Sequence, residues 1–308
     1  MKIVYMGTPD FALAPLKALL GDSEVEVIGV VTNKDKPVGR KQVLTPPPVK
    51  VLALENNIPV FQFDKIRNEG VEDLRKLAPD FIVTCAFGQI LSQEIIDIPK
   101  FGVINIHASL LPKYRGASPI HYAILKGEEK TGITIMRTDI GIDTGDIILQ
   151  SELEMTKNET CGELFERLSV LGAELIVDVL KSIEKGKASF TKQNDELATY
   201  SRIIKKEDAL IDFNNPANVV INQIRAFNPS PVAYTFLDGV KFKIFSAEEC
   251  EFIGCPGEIL QCENKLVVAC KKGAISITKI QKEGGKPLLI ADFLRGNKIE
   301  KGKVFSKC

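Results

Sequence analysis

Along the first half of the chain, short apolar runs alternate with longer stretches in which apolar residues recur three and four apart. KIVYM, VEVIGVVT, IPVFQ and DFIVTCA are the runs, and ALAPLKALL, VKVLALENN and VEDLRKLA stand between them. Runs rich in β-branched residues predict strands, and the three-and-four spacing predicts helices lying against them. Strand and helix in strict alternation give parallel pairing through right-handed crossovers, so an α/β fold with a doubly wound, mostly parallel sheet is expected. TGITIMR and Ile147 to Leu153 add further strands, and CGELFERLSVLGAELIVDVLKSIEKG is a long amphipathic helix that could lie across the sheet. From about Lys187 to Lys206 the pattern is polar and irregular, as in a connection between domains. Beyond a helix ending at Asn228 and Pro229, the runs become short and β-like: VAYTFL, VKFKIFSAEE, GEILQCE, KLVVACK and AISITKIQ. Strands of this length between glycine and charged turns predict a small antiparallel barrel. The expected division is a first domain over residues 1–188, a connector over 189–206 and a second domain over 207–308.

Composition changes this picture little. At 308 residues with 44% hydrophobic and 26% charged content, the chain suits a globular protein of two domains. No apolar run approaches the ~20 residues of a membrane span, and MKIVYMGTPD opens like a strand, without a charged leader. A cytoplasmic monomer with no membrane partner is expected. Seven cysteines, an odd number without tight spacing, predict reduced thiols. Cys250, Cys255, Cys262 and Cys270 crowd one region but form no CxxC pair, which suits small buried apolar residues better than zinc; no metal site is expected.

Charge is more informative. Lysine and arginine balance aspartate and glutamate at 40 each, yet residues 265–308 carry eleven basic groups against three acidic ones, a local +8. Residues 33–50 form a long proline-broken segment in which Lys34, Lys36, Arg40, Lys41 and Lys50 face Asp35 alone, a local +4. Both stretches could be plain solvated surface; both also suit a polyanion such as RNA.

The chemistry concentrates in GVINIHASLLPKYRGASP, from Gly102 to Pro119, and in TDIGIDTGD, from Thr138 to Asp146. In the strand GVINIHA, period two sets Asn105 and His107 on one face. A carboxamide beside an imidazole offers a hydrogen-bond donor and a proton carrier, which transfer through a tetrahedral oxyanion needs. The chain's two histidines are His107 and His121. His107 ends a strand, where ligands bind in open α/β sheets, whereas His121 opens a helix. A strand-end histidine satisfied by backbone carbonyls fits the same pattern. Asp143 could orient the imidazole, while Asp139 and Asp146 read better as turn residues bonding backbone amides.

NIHASLLPKYRGASPI followed by TGITIM and DIGIDTGD resembles the signature of formyltransferases that use 10-formyltetrahydrofolate, and the whole chain is similar to the members acting on methionyl-tRNA. The resemblance implies a Rossmann-like catalytic domain and an OB-like β-barrel. It implies Asn105, His107 and Asp143 as catalytic residues. Ser109, Leu110, Leu111 and Pro112 fall on the folate-contacting loop, and Phe87, Gly88, Gln89, Ile90 and Leu91 line the same strand-end crevice. 10-Formyltetrahydrofolate is the implied formyl donor and initiator methionyl-tRNA the implied partner. VGRKQ is similar to the core of a loop that reaches the tRNA acceptor end, which points to Arg40, Lys41 and Lys36. A formyltransferase acting on a small amine, such as an aminosugar nucleotide, and a hydrolase of formyltetrahydrofolate could use the same three residues.

Overall fold

A computed structural model describes residues 1–39 and 41–306. The chain divides into two compact units. The first comprises Met1–Pro119, Lys130–Glu154 and Phe165–Arg202; the second comprises Ile120–Glu129, Met155–Leu164 and Ile203–Cys308.

In the first unit β1 (Lys2–Gly7), α1 (Leu13–Gly21) and β2 (Glu26–Thr32) form the opening crossover, followed by the hairpin β3 (Lys36–Val38) and β4 (Val43–Thr45). Then come α2 (Pro48–Glu55), β5 (Val60–Gln62), α3 (Ile66–Glu69), α4 (Val71–Leu77), β6 (Phe81–Cys85), α5 (Gln93–Ile96) and β7 (Val103–His107). The two-residue β8 (Arg115–Gly116), helix α6 (Pro119–Lys126), β9 (Lys130–Arg137), β10 (Ile147–Glu154), α7 (Cys161–Glu184) and the two-residue β11 (Tyr200–Ser201) follow in the chain, α6 from Ile120 onward and α7 up to Leu164 belonging to the second unit. Seven strands pair in the order β10-β9-β7-β6-β1-β2-β5, parallel from β7 to β5 and antiparallel at β9 and β10. This is the Rossmann-like sheet expected. β6 is buried at every position, as a parallel strand covered on both faces must be. From Phe165 onward α7 buries Leu168, Ile176, Leu180 and Ile183. Each removes roughly 1.5–3 kcal/mol worth of apolar surface from water.

Strand order reverses between β1 and β6, and the carboxyl ends of those strands with β7 are where such sheets place ligands. Thr8, just past β1, bonds the backbone N–H of Asn33 (3.2 Å) and the Phe87 carbonyl (3.4 Å), while the Asn33 amide donates to the same carbonyl at 2.9 Å. These contacts tie together the loops leaving β1, β2 and β6.

The sequence pattern expects a connector from residue 189, whereas residues through Arg202 belong to the first unit. Backbone pairing explains the difference: Thr191 and Ile147 exchange two N–H···O bonds of 2.8 Å, and β11 runs parallel to β8.

The second unit holds α8 (Ala217–Ala226), β12 (Ala233–Leu237), β13 (Val240–Cys250), β14 (Ile259–Gln261), β15 (Leu266–Ala269), β16 (Ala274–Lys282), β17 (Leu288–Leu289) and α9 (Ile290–Gly296). Its antiparallel sheet runs β12-β13-β16-β15-β14, with β17 on β16. Residues near the end of the chain bond both outer strands' neighbourhoods: Ser306 exchanges two bonds with Phe236, and Ile259 donates to the Lys303 carbonyl. The sheet thereby curls toward the OB-like barrel expected, around the edge-to-face rings of Phe242, Phe293 and Phe305.

His121 lies in this unit on α6, its ring 6.3 Å from that of Phe227. Burial holds its pKa below the ordinary histidine value, opposed by a backbone hydrogen bond at Ser230. A lowered folded-state pKa means that the unfolded chain protonates first. Stability is therefore full above about pH 6.5 and is lost as pH falls toward the folded value. His121→Leu is expected to flatten the loss of Tm between pH 7 and 5, as read by calorimetry; an unchanged slope would exclude His121 as its source.

Candidate active site

The first candidate side chains rise from β7. Register pairs Asn105 with Thr84 of β6, and the Thr84 hydroxyl donates to Asn105 Oδ1 at 2.9 Å. That bond fixes the carboxamide's orientation and turns its N–H donors outward, one to Asp143 Oδ1 at 3.4 Å. His107 is 5% exposed. Its Nε2 lies 3.0 Å from the Tyr114 carbonyl, which can only accept, so Nε2 carries a proton. Nδ1 stands 3.6 Å from Asp143 Oδ2, ion-pair rather than hydrogen-bond distance. The backbone carbonyl thus sets the ring's orientation, and the aspartate faces the nitrogen left to gain or lose a proton.

Asp143 sits between these two groups on the 138–146 turn. Its Oδ2 accepts the Gly116 N–H at 2.7 Å, and its own backbone is left-handed at φ 53°. That conformation costs roughly 1–2 kcal/mol for an L-residue. The Gln193 amide donates to the Asp143 and Gly145 carbonyls, both at 2.8 Å. Two such bonds at ~1 kcal/mol each are enough to offset the strain. Asp139 behaves as its pattern suggests, Oδ1 accepting from the Gly141 N–H (3.1 Å) and the Thr144 hydroxyl (2.6 Å).

After His107 the chain forms a stiff loop. Ser109 is fully buried, its hydroxyl on the Lys113 carbonyl at 2.6 Å. Thr134 donates to the Ser109 carbonyl (2.6 Å) and accepts from the Leu111 N–H (3.1 Å) and the Gln150 amide (2.9 Å). Leu111 is buried, Leu110 and Pro112 half-buried. Arg115, 1% exposed, extends its guanidinium to Gln193 Oε1 (3.0 and 2.8 Å) and Asp195 (2.6 Å).

The loop leaving β6, the strand beside β7, presents the other candidate segment. Phe87 and Leu91 are buried, Gly88 and Ile90 exposed. The Gln89 amide is committed internally, to the Ile66 N–H, Asn33 Oδ1 and the Phe63 carbonyl. Any polar contact from this segment to a ligand thus falls to the backbone. Lys36 and Lys41 lie elsewhere, exposed on β3 and in the turn of its hairpin; Arg40 lies outside the described residues. Thr84, Tyr114, Gly116 and Gln193 escape sequence reasoning. Period two across paired strands could have found Thr84, but nothing marks Gln193.

Among the described residues no group of three or more His, Cys, Asp or Glu could hold a metal ion, and no helix is long and apolar enough to cross a membrane. The arrangement offers one oriented donor, one exchangeable imidazole nitrogen and one carboxylate, a set suited to acyl transfer to an amine.

The chain has relatives among known proteins. Residues 1–180 match the formyl transferase family and residues 203–298 the formyl transferase C-terminal domain. The chain is 48% identical over 304 residues to the methionyl-tRNA formyltransferase of Geobacter sulfurreducens, covering 98% of this chain and 96% of that one. It is 45% identical over 306 residues to that of Bacillus licheniformis, with 98% and 96% covered. Among solved structures it is similar to WlaRD, a sugar 3N-formyl transferase crystallised with dTDP and 5-N-formyl-THF, at 26% identity, TM-score 0.67 and 93% and 99% coverage. An N-formyltransferase of Helicobacter canadensis, in complex with folinic acid and dTDP-3-aminofucose, shares the fold at 24% identity and TM-score 0.69, with 92% and 99% covered.

Proposed function

Since the chain belongs to the formyl transferase family, we propose that it moves the formyl group of 10-formyltetrahydrofolate onto the α-amino group of methionine carried by initiator tRNA, yielding N-formylmethionyl-tRNA. One observation carries this reading above all. The likeness to methionyl-tRNA formyltransferases extends through both units at nearly half identity. The sugar-acting structures share only about a quarter of their residues with it.

The neutral amine attacks the formyl carbon, a carbon–nitrogen bond forms, and the carbonyl oxygen becomes an oxyanion. Asn105 donates to that oxygen. As the bond to the folate nitrogen breaks, the amine loses a proton and the folate nitrogen gains one. His107 exchanges protons through Nδ1, and Asp143 balances the charge of the resulting imidazolium. Ser109, Leu110, Leu111 and Pro112 on one side and Phe87 to Leu91 on the other wall the folate. The protein works in the cytoplasm and as a monomer, the latter supported by the origin of Asn105, His107, Asp143 and their partners in one chain; light scattering at assay concentration tests the monomer.

The deciding experiment incubates the protein with formyl-folate and charged initiator tRNA, or with aminosugar nucleotides, and follows formyl transfer by mass spectrometry. Transfer to the sugar amine alone would reject the tRNA reading.

Arg40, Lys41 and Lys36 contact the tRNA backbone in this reading. The double variant Lys36→Ala, Lys41→Ala is expected to weaken tRNA binding and to reduce the slope of log affinity against log salt by about 1.4–1.8. Folate binding stays unchanged. An unaltered slope in filter binding would remove both lysines from the interface.

A further inference from the structure

Gln193 lies in the polar stretch whose sequence reads as a connector, yet its amide has every bonding position filled. Two N–H groups meet the Asp143 and Gly145 carbonyls, and Oε1 accepts twice from Arg115. The next residue after Arg115, Gly116, supplies the N–H that holds Asp143 Oδ2 at 2.7 Å. Asp143 is therefore gripped at both ends, backbone by Gln193 and carboxylate by Gly116, and Arg115 joins the two grips. Asp195 closes the arrangement by pairing with Arg115 at 2.6 Å. Only a carboxamide presents two donors in one direction and an acceptor in the other, so neither glutamate nor an apolar side chain can replace it.

We propose that Gln193 is a positioning residue for the transfer reaction, setting the place of the Asp143 carboxylate against Asn105 and His107 without touching substrate. This rests on the reading of Asp143 as a reacting group. The distances show what displacement would do: Oδ1 is already 3.4 Å from the Asn105 amide and Oδ2 3.6 Å from His107 Nδ1. A small shift of the turn carries the carboxylate out of reach of both, and misplacements near 1 Å can lower rates about a hundredfold.

Gln193→Met removes both grips of the amide; Gln193→Glu keeps the acceptors facing Arg115 and loses the donors. Both are expected to lower kcat about ten- to a hundredfold, with KM for folate and for tRNA within twofold of the parent and unchanged circular dichroism. Asp143→Asn is measured alongside, and the Gln193→Met, Asp143→Asn double variant is expected to be no slower than Asp143→Asn alone, because one residue acts through the other. A purely architectural Gln193 would lower the folded fraction instead and leave kcat per folded molecule intact. If Asp143→Asn is slow while the Gln193 variants keep their kcat, or if the losses multiply, the positioning role is overturned and the catalytic reading stands. If Asp143→Asn is as fast as the parent, the catalytic reading of Asp143 fails and takes this inference with it. Failure of both Gln193 variants to fold also overturns it, because the side chain would then hold the unit rather than the aspartate.

Discussion

Asn105→Ala is expected to lower turnover by about two to three orders of magnitude, the usual loss when one donor to a developing oxyanion is deleted. The Thr84 hydroxyl supports this expectation, since its bond to Asn105 Oδ1 fixes the carboxamide nitrogen as the donor, one N–H directed at Asp143 and the other left for the oxyanion. His107→Ala is expected to lower turnover by roughly a hundredfold or more. In both variants tRNA affinity stays near that of the parent, because neither side chain belongs to a basic surface. Single-turnover kinetics separates the chemical step from binding. Parent-level turnover in either purified variant would remove that residue from the mechanism; a collapse of tRNA affinity with turnover preserved would move it to the binding surface.

Gly145→Ala is the second substitution with a large expected effect. A Cβ there would sit 1.8 Å from the Arg137 carbonyl oxygen, 3.0 Å from its carbon and 3.3 Å from the Asp139 nitrogen. All three are backbone atoms, so the turn itself has to move. Such overpacking destabilises by typically about 1–3 kcal/mol. Because Asp143 lies two residues upstream, displacement of the turn is expected to reduce kcat by about a hundredfold. Gly21→Ala, where nothing lies within 4 Å of the added atom, serves as the control and is expected to change stability by no more than about 0.5 kcal/mol. Parent-like Tm and kcat for Gly145→Ala would show that the turn does not approach Arg137 in solution.

Much of this architecture is legible in residue patterns. The parallel strands announce themselves as apolar runs because helices cover both faces of the sheet, and α7 by its amphipathic period. Asn105 and His107 emerge from period two combined with the strand end; glycine spacing marks only a turn of three carboxylates, and the family resemblance selects Asp143 among them. The supports of these residues leave no such trace. Gln193 meets Asp143 across 50 residues, and Tyr114 donates its N–H to Thr199 across 85. Both distant partners sit in irregular polar sequence, where no period applies and composition suggests a tether. The β3–β4 hairpin is hidden for a related reason: three-residue strands interrupted by proline and flanked by lysines look like an open loop. The pairing of residues 303–306 with Phe236 and Ile259 equally depends on contacts too remote for local pattern to register.

The pairing of Arg115–Gly116 with Tyr200–Ser201 has a consequence for biosynthesis. All seven strands of the large sheet and the whole of α7 precede residue 185, so a nascent polypeptide can assemble its Asn105–His107 strand early. Thr191, Gln193, Thr199 and Ser201, which lace the two loops around Asp143, leave the ribosome afterward. The fastening of the reaction centre is therefore the last step in making the first unit, and a polypeptide ending just after α7 would lack the bonds that hold the turn around Asp143.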